Sequence, residues 1–441
     1  MTYFSNLRRG ALALLLLGPA LVACERELDN DDFYREVGGQ FPSFAANDFG
    51  LAAKYATGEV VRFELRFAEQ TSPIKEIRIL QKVEPGRDSV LVQTIPYQRA
   101  FSRARNSDTL MVNYTVPAGV NKANVRVDAV VVSQNNQTKT RSFSFRLAEP
   151  TPTVRVNAPQ NQTAPVGATP VPGDVVRFPV VLNEGGINTA TSLGATGTLF
   201  KDLDSLVVYV QVGATPERRV RELTRRLPAT GAQSGAALTV NVDATLPAGS
   251  AGQPVVYRFE AKSRFQDRPA PAAPSIRSAT AAAPALTPGT PTPLAAPRTV
   301  TLTYSGTGGD QAALDLTTFT LVPAAGPLAS KDVAITSTAG NTVRLQALTP
   351  TSTTPPLAQS TSFVRLTTGG AAAYNAATLN SIRQLYRTAA AANQVTQLDN
   401  VVVGDVVVAR LRGLDQYVIF TVAGINRTAT SVELTLNVKA L

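Results

Sequence analysis

The sequence predicts a mainly β protein: two tandem immunoglobulin-like β-sandwiches followed by a mixed, mostly β C-terminal domain with one helix. Three observations carry this expectation. Residues 59–67 alternate apolar and charged side chains at period two, as a strand with one buried face does. Gly58-Glu-Val-Val-Arg-Phe63 returns as Gly173-Asp-Val-Val-Arg-Phe178, and Val116-Pro-Ala-Gly119 returns as Leu246-Pro-Ala-Gly249, each followed by another alternating run. Matched features in the same order, at roughly the 100-residue size of one sandwich, mark two copies of one module. Beyond a Pro- and Ala-rich stretch at 267–297 the text changes character and includes a helical pattern at 376–391, with Leu379, Ile382, Leu385 and Tyr386 on one face.

Taken in order, residues 1–23 form a leader. Arg8 and Arg9 give it a positive start, Ala11 to Leu17 an apolar centre, and Gly18-Pro19 a break before small residues. The apolar run is too short to span about 30 Å of hydrocarbon, which takes roughly 20 residues. Leu21-Val22-Ala23-Cys24 resembles the lipobox of bacterial lipoprotein signal peptides. The resemblance implies cleavage before Cys24, a thioether-linked lipid on its sulfur, and a membrane anchor. The protein would then reside at the outer membrane, facing the cell surface or the periplasm. Two or three acyl chains, at about 0.8 kcal/mol per buried CH₂, hold a protein on a bilayer essentially permanently.

Residues 24–50 are assigned to the lipidated cysteine and an acidic tether, whose stretch from Glu25 to Asp32 is too poor in apolar residues to pack. Acidic residues behind the lipidated cysteine also resemble the surface-export signal of Bacteroidota lipoproteins, although the Asp31-Asp32 doublet lies later than in the usual pattern. The first sandwich is expected over 51–149, with strands at 59–67, 74–82, 90–95, 109–116, 125–132 and 142–147 separated by turns such as Pro85-Gly86 and Asn135-Asn136. The second is expected over 150–266. Residues 267–297 have linker composition, and 298–441 form the C-terminal domain, its helix started by Asn375 and closed by Asn393. Thr361-Ser-Phe363, Tyr374, Tyr386, Val403-Gly-Asp-Val406 and Tyr417-Val-Ile-Phe420 resemble the end domain of uncharacterised Bacteroidota lipoproteins, a likeness that implies no activity.

Composition excludes several chemistries. The 441 residues contain no histidine, so neither a Ser-His-Asp or Cys-His nucleophile nor a histidine-based zinc site can be built. The single cysteine rules out an intrachain disulfide. Tryptophan, the strongest platform for stacking sugars, is absent, although 11 Tyr and 17 Phe remain. The formal charge is +10, and loss of the leader's two arginines leaves +8. An envelope address makes nucleic acid an unsuitable partner for that charge.

Two basic clusters stand out: Arg99, Arg103 and Arg105, and Arg218, Arg219, Arg221, Arg225 and Arg226. Guanidinium groups would suit anionic glycans through bidentate contacts. The simpler expectation is an edge strand protected by charge from pairing with other chains. Paired carboxylates are the remaining route to a glycosidase or lyase. The candidates Glu59, Glu64, Asp174, Glu184, Glu260, Asp399 and Asp405 all lie on or beside strands where solvent-facing charge is the ordinary expectation. Asp202 and Asp204 are a weak calcium candidate, since such a site needs carboxylates converging from several loops. Gly306-Thr-Gly308-Gly309-Asp310 precedes no helix and reads as a turn rather than a phosphate loop. No cofactor and no metal are expected. The partners expected are a membrane through the N-terminal lipid, and a polysaccharide or another envelope protein.

Overall fold

The computed structural model describes residues 41–188, 194–227, 235–269, 271–307, 310–337, 342–349 and 360–441. The first sandwich pairs a four-stranded sheet, in the order Ser43–Phe44, Val60–Ala68, Ser107–Thr115, Phe101–Ser102, with a five-stranded one. That second sheet runs Lys54–Tyr55, Thr138–Leu147, Asn124–Ser133, Ile74–Val83, Val90–Pro96. The period-two pattern does what it should: Val61, Phe63, Leu65 and Phe67 are buried, while Arg62, Glu64 and Arg66 point away from the core. Phe63 and Phe143 meet edge-to-face at 4.9 Å, a geometry that adds to plain area burial.

The second sandwich repeats the plan. Val175–Leu182 pairs with Leu238–Thr245 on one side and with the short Val154–Val156 and Gln160–Asn161 on the other. In the facing sheet Leu203–Val212, Val255–Phe265 and Ser275–Ala282 lie side by side. The last of these corrects the expectation of a linker over 267–297. Ser275–Ala282 is an edge strand paired over eight residues with Val255–Phe265. Its side chains are mostly exposed, so it needs no apolar period, and backbone pairing alone holds it.

The C-terminal domain packs two five-stranded sheets against each other. One runs Arg298–Tyr304, Val432–Lys439, Tyr417–Arg427, Val406–Arg410, Ser362–Arg365. The other runs Thr320–Val322, Ala313–Asp315, Val333–Ser337, Val343–Gln346, Gln397–Val401. Val406, Val407, Val408 and Ala409 are all buried, because this strand has cover on both faces. Val407 and Ala409 join the core between the sheets, and Val406 and Val408 pack beneath two helices, α1 (Gly370–Asn375) and α2 (Leu379–Thr388). The helix expected over 376–391 is present as the shorter α2, and α1 is an additional helix ahead of it. Thr378 takes an extended conformation between them, and its hydroxyl accepts the Ser381 N–H in a reciprocal capping box, a role the sequence suggested for Asn375.

One local device recurs in all three domains. Gly58-Glu59, Gly173-Asp174 and Gly404-Asp405 each close a tight turn with the glycine at φ of 84°, 93° and 93°. In each, the glycine N–H donates to the carbonyl of the neighbouring strand's end (Val116, Leu246, Val422), and that residue's N–H donates back to the acidic residue's carbonyl. In each, the carboxylate also accepts the backbone N–H three residues earlier, from Ala56, Val171 and Val402. A side chain at Gly404 would meet nothing within 4 Å, so Gly404→Ala isolates the conformational cost of a left-handed residue. Chemical denaturation should report a loss of about 1–2 kcal/mol.

At two of these corners the carboxylate also reaches the next domain. Glu59 is 1% exposed and accepts the N–H of Gln266 (2.9 Å) while pairing with Lys201 (3.1 Å). Around it, Lys54 pairs with Asp202 and donates to the Phe200 carbonyl, and Asn121 exchanges two hydrogen bonds with Leu199. Burial lowers the pKa of Lys54, against the pull of Asp202. Asp174, fully buried in the second sandwich, accepts from Asn380 of α2 at 2.8 Å. Arg387 of α2 adds a bond to the Gln162 carbonyl. The two junctions are thus built from a feature that both copies of the internal repeat share, the Gly-acid pair.

Candidate functional site

The lipobox residues Leu21, Val22 and Ala23 and the lipidation candidate Cys24 lie outside the described residues. The two arginine clusters are described, and they do not fall on equivalent edges. Arg99, Arg103 and Arg105 flank Phe101–Ser102, which pairs with Ser107–Thr115 in the four-stranded sheet of the first sandwich. Arg218–Arg219 and Arg225–Arg226 are two-residue strands on the free edge of Leu203–Val212, in the other kind of sheet, with Arg221 in the 3₁₀ turn between them. In the first sandwich the corresponding edge is already taken by the seven-residue strand Val90–Pro96, so the basic segment that follows crosses to the opposite sheet.

The electrostatic settings differ as well. Arg105 forms an ion pair with Glu64, which also binds Arg66. In the second cluster all five arginines are exposed, and among the described residues none forms an ion pair. Arg219 has only a hydroxyl partner, Thr224 at 3.4 Å. Glu222 is exposed in the same turn as Arg221, and three further acids nearby are bonded to other arginines: Glu217 to Arg258 (2.6 and 2.8 Å), Asp243 to Arg177 (2.7 and 2.8 Å), and Asp204 to Arg264 (2.7 Å). Hydrogen bonding to Arg258 and to Arg177 holds Glu217 and Asp243 below the usual carboxylate range. At Asp204 burial works upward, but Arg264 and Ser205 outweigh it and the pKa is again lowered.

Register assigns the arginines to faces. Arg219 lies opposite Tyr209 and Arg226 opposite Ser205, so both share the outer face of the sheet; Arg218 opposite Val210 and Arg225 opposite Leu206 lean toward the side of the core. Arg258 stacks on the Tyr209 ring, 4.1 Å from its centre, which closes that ring to other partners.

The carboxylates considered for hydrolysis are dispersed. Glu59 and Asp174, expected to face solvent, are instead buried at the domain junctions because each serves partners from two domains. Glu184 pairs with Arg155, and Asp399 with Arg344, at exposed positions. Asp405 accepts the Val402 N–H and lies 3.6 Å from Arg365. Glu260 accepts from the Tyr209 hydroxyl at 2.9 Å. Hydrogen bonding from Arg155 lowers the pKa of Glu184, and Gln397 with Arg344 lowers that of Asp399. A general acid needs the opposite direction. Asp202 and Asp204 serve Lys54 and Arg264 respectively, and no group of three or more potential metal ligands occurs among the described residues.

Two clefts lie among the described residues apart from these carboxylates. One of 570 Å³ beside residues 159–170 has no titratable side chain in its lining. Another of 340 Å³ includes Asp310, which accepts the Ser305 and Gly306 N–H groups, and Lys331, which donates to the Ala324 carbonyl.

No protein-family model matches the chain, and no curated protein matches it. Among solved structures it is similar to a DUF4466 family protein from Parabacteroides merdae, at 11% identity and a TM-score of 0.23, over 66% of this chain and 99% of that one. A two-domain fibronectin type III segment of chicken tenascin matches at 10% identity and 0.18, over 54% and 97%. A Ca²⁺-stabilised, ice-binding adhesin of an Antarctic bacterium matches at 11% and 0.24, over 90% and 72%. At such scores these likenesses carry no argument about activity.

Proposed function

We propose that the chain is a lipid-anchored protein of the bacterial outer-membrane surface, non-catalytic, which holds its β domains away from the membrane as a coupled spacer and binding scaffold. The observation that carries the spacer reading is the pair of buried carboxylate clamps, Glu59 and Asp174, which join the three domains in series. A spacer benefits from such junctions, because domains joined only by flexible linkers move independently. The anchor rests on Leu21-Val-Ala-Cys24.

The anchoring is tested by Cys24→Ser in the native host. The wild-type protein is expected to fractionate with membranes and to take up labelled palmitate. The variant should lose all label and either accumulate with its leader attached or leave the membrane. Label retained on the serine variant would overturn the assignment. Protease shaving of intact cells then reads the side faced, with degradation expected for surface display.

A further inference from the structure

We propose that the arginine-lined edge of the second sandwich, residues 218–226, binds a linear anionic polysaccharide. This deepens the binding half of the function proposed above by assigning it a site and a ligand class. Among the described residues none of these arginines sits in an ion pair, although Arg225 and Arg226 add to the positive field on Asp243 and Asp204. Five exposed arginines against one exposed acid, Glu222, line one sheet edge, and the neighbouring carboxylates Glu217, Asp243 and Asp204 are each bonded to a different arginine. Edge protection alone would need a charge or two. The first sandwich manages its own free edge at Val90–Pro96 with none, while Val90, Leu91 and Val92 stand exposed there.

Spacing supports a polymer rather than a single small anion. The two arginine pairs bond to Ser205–Leu206 and Tyr209–Val210 of one strand, so they are set along about 13–17 Å of edge. Arg219 and Arg226 point to the outer face, Arg218 and Arg225 toward the other, and Arg221 sits in the turn between them. A chain carrying carboxylate, sulfate or phosphate groups at intervals could engage successive guanidinium forks, each able to make two parallel N–H···O bonds. The Tyr209 ring beside the arginines is stacked with Arg258 rather than left as an open platform for a base. This favours a glycan over single-stranded nucleic acid, whose binding relies on such platforms.

The test is a binding titration of the full chain in detergent at about 0.15 M salt, where charges beyond a Debye length of roughly 8 Å are screened. The probes are heparin, polygalacturonate, neutral dextran and duplex DNA. The wild type should bind at least one of the two acidic glycans and not dextran. Arg221→Gln/Arg225→Gln/Arg226→Gln should lose at least tenfold in affinity, whereas Arg87→Gln/Arg99→Gln/Arg103→Gln, which removes the same charge from exposed positions of the first sandwich, should bind as the wild type. Unchanged far-UV circular dichroism in both triple variants excludes misfolding as the cause. The proposal is overturned if neither acidic glycan binds, if the two triple variants lose affinity equally, or if DNA binds more tightly than either glycan. It is also overturned if the edge variant keeps its glycan affinity but self-associates, since the arginines would then be guards against strand pairing. Because the titration is independent of membrane attachment, its failure leaves the anchoring result untouched, and failure of the anchor leaves the titration readable.

Discussion

Asp332→Ala is expected to destabilise the C-terminal domain by about 3–5 kcal/mol, the cost typical of removing one partner from a buried charge pair. Asp332 is fully buried and saturated: Oδ2 accepts the Leu316 N–H (3.0 Å) and Arg412 Nη2 (2.8 Å), and Oδ1 accepts the Thr361 hydroxyl (2.6 Å) and Arg412 Nε (3.1 Å). These donors come from separate parts of the domain. Leu316 follows a strand of one sheet, while Thr361 and Arg412 flank strands of the other, so the carboxylate ties the two sheets at one end of their shared core. Removing it strands the donors of Leu316 and Thr361 and half of the Arg412 guanidinium. Asp332→Asn keeps the shape and one acceptor and should cost less. Calorimetry of the full chain checks both, since the transition of the C-terminal domain should move while those of the sandwiches stay. A loss below about 1 kcal/mol for the alanine variant would show that the network is solvated and relaxes.

The same network sets a pH dependence. Burial works to raise the pKa of Asp315, but the Thr317 N–H, Arg412 and the Thr318 N–H outweigh it and hold the carboxyl below its usual range. A carboxyl depressed in the folded state stabilises fully above its unfolded value of about 3.9 and loses that contribution as pH falls through the lowered value. Asp315→Asn should therefore be less stable than the wild type near neutrality, and the gap should shrink as pH falls below about 4, as denaturant titrations of the C-terminal domain at a series of pH values would read; a gap that does not change with pH would refute the assignment.

How far the sequence speaks depends on whether side chains or the backbone do the holding. Val60–Ala68 was legible because alternate residues are forced to opposite faces, and the tandem repeat was legible because both copies solve the same packing problem with the same residues. Ser275–Ala282 was not legible, since an exposed edge strand is selected by hydrogen bonding and leaves no apolar trace in its Ser, Thr, Arg and Ala residues. α1 was not legible for a related reason: Gly370–Asn375 is one short turn of Gly, Ala, Tyr and Asn without an apolar period, whereas Leu379, Ile382, Leu385 and Tyr386 marked α2. The arginine clusters have similar positions in the two copies yet lie on different sheets, because a free edge depends on what the preceding strand has already occupied. Glu59 and Asp174 were marked by the repeat itself, but burial by a neighbouring domain is a long-range fact that local spacing cannot encode.

Those two residues yield the second large prediction, a ranking across three chemically similar corners. Glu59→Ala removes the acceptor for Ala56 and Gln266 and the counter-charge of the part-buried Lys201, so about 3–5 kcal/mol of junction stability should go with it. Asp174→Ala strands the neutral donors of Val171, Asn161 and Asn380, for which about 1–3 kcal/mol is expected. Asp405→Ala lies at the corner where Val402 and Val403 are each 57% exposed and, among the described residues, no other domain bonds to the carboxylate; it should cost the turn contact and the long Arg365 pair, about 1 kcal/mol. Calorimetry supplies the energies, and fluorescence energy transfer between dyes on adjacent domains supplies the mechanical readout. The distance distribution across the first junction should broaden in Glu59→Ala, that across the second in Asp174→Ala, and neither in Asp405→Ala. Equal losses at all three corners would mean that the carboxylate only closes its own turn. The series coupling of the domains would then rest on the Lys54–Asp202 pair and the Asn121–Leu199 bonds, and Lys54→Met should broaden the first junction where Glu59→Ala had not.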